Sequence, residues 1–154
     1  MSLLIATAAT GAGLVTGLLF AFSNFVMRAL AELPSKSAMR AMQRINVKII
    51  NPIFLLLFLG TPALCAGIVL DGSLRSDSSV DPIALLGALA YLVGPFGITL
   101  AFNVPLNNQL AAHDPSTSDS IWLDYQRRWQ FWNHIRTCIG IVATALLAGA
   151  SSAS

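Results

Sequence analysis

Read for polarity alone, the chain is four long apolar stretches separated by short polar ones. No charged residue lies between Met1 and Arg28, between Lys48 and Asp71, between Asp81 and Asp114, or after Arg136. A bilayer core of about 30 Å needs roughly 20 apolar residues per helix. Each stretch is long enough to supply one helix, the last only just. The pattern predicts an all-α protein, a single four-helix transmembrane bundle with helices over about residues 3–25, 49–70, 83–102 and 135–150. No basic residue precedes the first apolar run, and that run is longer than a signal peptide's core, so a retained helix is expected there.

Two polar segments carry a helical pattern of their own. After Pro34-Ser35, the cations Lys36, Arg40, Arg44 and Lys48 recur every four residues, while Met39, Met42, Ile45 and Ile49 line another side. That is an amphipathic helix lying in the interface, with its cations among lipid headgroups. From Asp119 to Arg136 a second such helix runs straight into the fourth span. Its Trp122, Tyr125, Trp129 and Trp132 fall at three- and four-residue steps, as in an interfacial aromatic belt. The connection from Asp71 to Asp81 is short, rich in Ser, Asp and Gly, and has no catalytic pattern.

Composition agrees with this reading. The 154 residues are 55% hydrophobic and only 10% charged, with a mean hydropathy of +0.69. Soluble domains carry about 25% charged residues. The net charge of +2 matters less than where it sits. Five Lys or Arg and one acid lie from Arg28 to Lys48, and three Arg from His113 to Arg136, against one Arg and three Asp from Asp71 to Asp81. By the positive-inside rule the first and third connections are cytoplasmic. Both termini then face out, in the inner or plasma membrane if the cell is bacterial, and both amphipathic helices lie on the cytoplasmic side.

Small residues suggest where helices meet. Gly13, Gly17, Phe20 and Asn24 share one helical face, and Gly13 and Gly17 form a small-xxx-small pair. Ala90, Gly94, Gly97 and Ala101 make a second stripe. Pro52 suits a first turn, Pro62 and Pro95 predict bends, and Pro105 ends or bends the third helix. Cys65 and Cys138 are expected near opposite membrane faces, too far apart for a disulfide and better read as packing residues.

Candidate chemistry gathers at one depth. Ser23, Asn24, Asn46, Asn51, Asn103, Asn107, Asn108, Asn133, His134 and Arg136 come from all four helix ends on the cytoplasmic side. Polar groups there are costly unless satisfied, so they form either a site or interhelical glue, and the residues leave both open. Trp129, Asn133 and Arg136 share a face, so an indole, an amide and a guanidinium point into one space. His134 is the candidate general base, with His113 the other imidazole in the chain. Two isolated histidines without neighbouring carboxylates or paired cysteines do not make a metal site. No phosphate-binding or dinucleotide-binding glycine loop is present. Neither a metal, a cofactor nor a nucleic acid is expected.

Four motifs resemble one family. They are G-x-x-x-G followed by F-A-F-S-N (Phe20 to Asn24), I-N-x-x-I-x-N-P (Ile45 to Pro52), N-V-P-L-N-N (Asn103 to Asn108), and W-x-x-W-N-x-x-R (Trp129 to Arg136). Together they are similar to the anthrone oxygenase-like family of membrane proteins, over nearly the whole chain. The resemblance implies a four-helix membrane protein. It also implies an oxygenase that turns anthrones into anthraquinones with molecular oxygen and no evident cofactor, as characterised fungal members do. On that basis a flat aromatic substrate entering from the bilayer would stack on Trp129 or Trp132. His134 would take a proton, and Arg136 with Asn103, Asn107 and Asn133 would stabilise the resulting anion. Asn108, Asn24, Asn51 and Phe20 would complete the binding surface. The partners expected are therefore a hydrophobic aromatic molecule, O2 and the lipid bilayer, with a homo-oligomer left open.

Two other classes compete. One is a non-catalytic membrane subunit or a small-molecule or lipid-binding protein, whose polar cluster is glue or a headgroup pocket. The other is a transporter, for which four helices leave little room, no inverted repeat is visible and no acid sits inside a helix. An open pocket beside Trp129 and Asn107 favours an enzyme or binder, whereas complete internal pairing favours glue.

Overall fold

A computed structural model of the chain describes residues 2–74, 81–115 and 119–152. Among these residues there is no strand, and four helical rods are long and apolar enough to cross a membrane. The chain is an all-α bundle and an integral membrane protein.

The rods are longer than the spans expected from the sequence. The first is α1 (Ser2–Ala21), a π-helical turn (Phe22–Val26) and α2 (Met27–Ala31). An interfacial helix, α3 (Ser35–Lys48), starts at the expected Pro34-Ser35. The second rod is α4 (Pro52–Leu74), which keeps Pro62 inside it. Asn51 caps its start: Oδ1 accepts from the Phe54 amide at 3.1 Å, a common use for asparagine at a helix N-terminus. The third rod is α5 (Pro82–Tyr91), a π-helical stretch (Leu92–Asn103) and α6 (Val104–Ala111). Asp81 caps it, accepting from the Ile83 amide at 2.9 Å. The fourth, α7 (Asp119–Ser152), merges the expected amphipathic segment and the last span into one helix. Most of the connection expected from Asp71 to Asp81 lies outside the described residues.

Proline explains the third rod. Pro95 and Pro105 each lack an N–H and crowd the carbonyl four residues back. The chain answers Pro95 by widening into a π-helix that begins at Leu92, and its end is marked by the Val104 amide bonding back five residues to the Thr99 carbonyl. Pro105 does not end the helix; it sits in the first turn of α6, where a missing N–H costs little. π-Helical turns concentrate at functional sites, and the two here flank the same region.

Packing falls into two apolar clusters. One, including Ile5, Ala12, Cys65, Ala88, Tyr91 and Leu147, fills the bundle between α1, α4, α5 and α7. The other gathers Met27, Met39, Met42, Leu110, Trp122, Tyr125 and Trp129, and seats α3 across one end of the bundle. Its cations Lys36, Arg40, Arg44 and Lys48 all stay exposed. Close helix approach uses other glycines than the first predicted pair. A Cβ on Gly17 would meet nothing within 4 Å, and one on Gly13 would only touch Thr144. By contrast, Gly94 lies tight against Ile139, and Gly140 against Thr16 and Pro95. Cys65 is buried and Cys138 exposed, and both are free thiols.

Candidate functional site

Between the two clusters lies a cavity of about 600 Å³. Its walls come from α1 and its π turn, from α3, from the start of α4, from the third rod, and from α7. Most of the wall is apolar, with Leu19, Phe22, Met42, Phe54 and Phe58 among its members. The polar lining consists of Gln43, Asn46, Thr99, Asn107, Asn108 and Arg136, together with the indole of Trp129. The volume is within the range of ordinary small-molecule sites.

Arg136 is the chemical centre. It is 5% exposed and sits in the middle of α7. Asn133, one turn earlier and fully buried, accepts from its Nε at 3.0 Å and its Nη2 at 2.8 Å. Thr99 Oγ1 accepts from Nη1 at 2.6 Å while donating to the Pro95 carbonyl. The π-helical stretch thus delivers the second acceptor and the third bond. The Arg136 Cζ lies 5.1 Å from the centre of the Trp129 ring, a cation–π distance.

The anchor behind Arg136 is itself fully paired. Asn133 Nδ2 donates to the Leu19 carbonyl at 3.0 Å and to Ser23 Oγ at 2.7 Å. Thr137 uses its one hydroxyl hydrogen on the Asn133 carbonyl at 2.6 Å. Ser23 must then be the donor in its 3.1 Å contact with Thr137 Oγ1. This part of the cluster is interhelical glue between α1 and α7.

The cavity side is not saturated. A guanidinium carries five N–H groups, and the three bonds above leave two of Arg136's without a protein acceptor. Trp129 Nε1 and Asn103 Oδ1 are buried and make no hydrogen bond. Among the described residues no carboxylate pairs with Arg136, whereas Asp124 pairs at the surface with Arg127 and Arg128. An arginine at mid-helix depth costs about 2.5–3.5 kcal/mol to insert on translocon scales. A buried cation in that position calls for a negative partner.

The expected site residues separate into three groups. Trp129, Asn107, Asn108 and Arg136 line the cavity, and Asn133 holds Arg136 from behind. Asn107 Oδ1 also accepts from the Tyr125 hydroxyl at 2.9 Å. Asn103 is buried beside the cavity, its Nδ2 donating to the Trp129 carbonyl at 3.2 Å. The others do not reach. His134 is exposed on the outer side of α7 and does not line the cavity, so a base there would not touch a molecule held at Arg136. Trp132 stacks on Phe102 instead, with ring centres 3.6 Å apart. Asn51 is occupied as the α4 cap. Phe20 and Asn24 are exposed, on the wrong face of the first rod.

Thr99, Phe22 and Gln43 belong to the cavity and had not been singled out. Phe22 lies inside the F-A-F-S-N motif and packs 5.4 Å from Trp129. The signal for Thr99 was a hydroxyl four residues after a mid-helix proline. A second cavity of about 380 Å³ lies at the surface between α6 and α7, lined by His113, Asp124 and Arg128 among others. Among the described residues, no group of three His, Cys, Asp or Glu side chains is placed to hold a metal.

Fold and site together define a class: a four-helix membrane protein with a buried, unpaired cation facing an apolar cavity. The family model described as anthrone oxygenase matches residues 52–146, more than half of the chain, and the chain belongs to that family. The match takes in α4, the third rod and most of α7, hence Thr99, Asn107, Trp129, Asn133 and Arg136. No curated protein and no solved structure matches the chain.

Proposed function

We propose that the protein is a membrane-embedded, cofactor-independent oxygenase that oxidises a small phenolic or anthrone-like aromatic with O2. One observation carries this reading: two unused N–H groups of a buried arginine, beside an indole with a free N–H, at an apolar cavity of about 600 Å³. Family membership supports the reaction class.

The chemistry balances without an outside reductant. An anthrone, C14H10O, reacts with O2 to give anthraquinone, C14H8O2, and water. Loss of one proton from the central CH2 makes an electron-rich enolate. The enolate gives an electron to O2, and the two radicals join in a C–O bond. The peroxide O–O bond then breaks as the remaining hydrogen leaves that carbon, which yields the new C=O and water. Negative charge is present throughout, first on the ring oxygen and then on the peroxide. Fixed donors aimed at such charge in a dry site lower the barrier. Arg136 and the amides of Asn107 and Asn108 are the donors in reach. The aromatic wall would hold the ring system flat, and both substrates are soluble in the bilayer.

The test is oxygen uptake and quinone absorbance with a simple anthrone and detergent-purified protein, beside an Asn107→Ala, Arg136→Ala double variant. Turnover that persists in metal-free buffer and disappears in the variant supports the reading. A rate no higher than the spontaneous background refutes it. The second reading, ligand binding without turnover, draws support from a cavity lining with no histidine or carboxylate. The proposed orientation, with both termini on the non-cytoplasmic side, is testable by terminal reporter fusions.

A further inference from the structure

We infer that the cavity takes its aromatic ligand already ionised, as a phenolate or enolate paired with Arg136, and that the protein supplies no base of its own. The inference rests on the oxygenase reading only for the aromatic class of ligand; the ionisation state follows from the site.

Each element facing Arg136 bears on this. From the first rod come Leu19, Phe22 and Ser23, and from the third Thr99 and Asn107, none of which takes up a proton near neutrality. Interfacial helix α3 contributes Met42, Gln43 and Asn46, while its cations stay on the exposed side. On α7 the neighbours are Trp129, Asn133 and Tyr125, whose hydroxyl proton is committed to Asn107 Oδ1. Among the described residues, no Asp, Glu, His, Lys or Cys lines the cavity. A neutral phenol bound here could donate its O–H to an amide oxygen of the wall, but it would leave the guanidinium uncompensated. An anion supplies that compensation. Its oxygen accepts the two remaining Arg136 N–H groups, which are charge-assisted bonds, and the released proton goes to bulk water. Binding therefore shifts the ligand's acidity: the ionised form is favoured, so the ligand's own pKa falls on binding. The site would select acidic phenols and enols over neutral arenes of the same shape.

The probe is 2-hydroxyanthraquinone, which resembles the product, resists further oxidation, and changes its visible absorbance on ionisation. It is titrated into the detergent-purified full chain, beside empty micelles, at a pH about one unit below the dye's own pKa. The expected result is a bound spectrum of the anion, with one proton released per dye bound as read by calorimetry in two buffers. Arg136→Lys should retain the anionic spectrum. Arg136→Gln should lose it and weaken binding roughly tenfold or more, the size of a lost charge-assisted bond. Trp129→Phe, which removes the indole N–H together with the five-membered ring beside Arg136, tests the same site should Arg136→Gln not fold. A bound dye with the neutral spectrum would overturn the inference and leave the oxygenase reading standing. Displacement of the dye by phosphatidylglycerol would assign the cation to a lipid headgroup and overturn it too. No binding at any pH would refute both, whereas anionic binding without anthrone turnover would refute the oxygenase reading alone.

Discussion

Removing Asn133 should destabilise the protein, and removing Arg136 as well should restore part of the loss. Asn133 Oδ1 receives two of the three protein hydrogen bonds made by the guanidinium, and Nδ2 ties α7 to α1 through Leu19 and Ser23. Hydrogen bonds to charged groups contribute about 1.5–3 kcal/mol in soluble proteins, but side-chain bonds between membrane helices average nearer 0.6 kcal/mol. Breaking one side of a buried ionic network costs about 3–5 kcal/mol. With these bounds, Asn133→Ala should cost roughly 2–4 kcal/mol. Much of that cost arises because the guanidinium stays buried with only Thr99 to accept from it. Arg136→Leu in the Asn133→Ala background removes the stranded charge, so the double variant should regain at least about 1 kcal/mol. The assay is reversible unfolding in mixed micelles as the fraction of denaturing detergent rises, run on the two single variants and the double variant. If the double variant is as unstable as the sum of the singles, the network is not the coupled unit described, and the reasoning fails.

Three other outcomes follow from the same geometry. Trp129→Phe shrinks the ring beside Arg136 and removes an N–H that has no protein acceptor. Thermal stability should fall by about 1–2 kcal/mol from the lost volume while affinity for an anionic aromatic falls about fivefold or more, measured by melting and by dye titration side by side. His134→Ala should leave anthrone turnover unchanged and stability within about 0.5 kcal/mol, because His134 is exposed and off the cavity; a large loss of rate would restore it as the base. Gly94→Ala should cost about 1–3 kcal/mol by overpacking, since a Cβ there would lie 2.7 Å from Ile139 Cβ. Gly17→Ala, with nothing within 4 Å, should be neutral or slightly stabilising in the same unfolding assay.

The fold was legible because a bilayer punishes charge so strongly that its absence marks each span. Where helices stop was less legible. The charge-free stretches end at Arg28, Asp71, Asp114 and the chain end, but α-helical hydrogen bonding does not stop at a charge. So the first rod runs on past Arg28 to Ala31 and the fourth begins at Asp119, while the third runs to Ala111 because Pro105 sits in a first turn that tolerates it. Within the site, residues on α7 were placed well where their spacing was read against Arg136. Trp129 and Asn133 are seven and three residues before it, on the same face. His134 is one residue past Asn133 and so turns about 100° away. On the first rod, glycine spacing is a poor guide to the inner face. The cavity face is Val15, Leu19 and Phe22, whereas the stripe through Gly13 and Gly17 turns exposed by Phe20 and Asn24.

A helix seeking only stability would not keep a guanidinium where an apolar side chain of similar volume would serve as well. Asn133 and Thr99 satisfy three of its donors, Ser23 and Thr137 hold Asn133 in place, and two donors are left without an acceptor among the described residues. Glue would be complete. The incompleteness falls on the side that borders Phe22, Trp129 and a cavity of about 600 Å³, where the wall offers surface for a flat ring and no group to neutralise the charge. On the proposed reading the missing member of the network is a ligand, and Arg136 sets its sign.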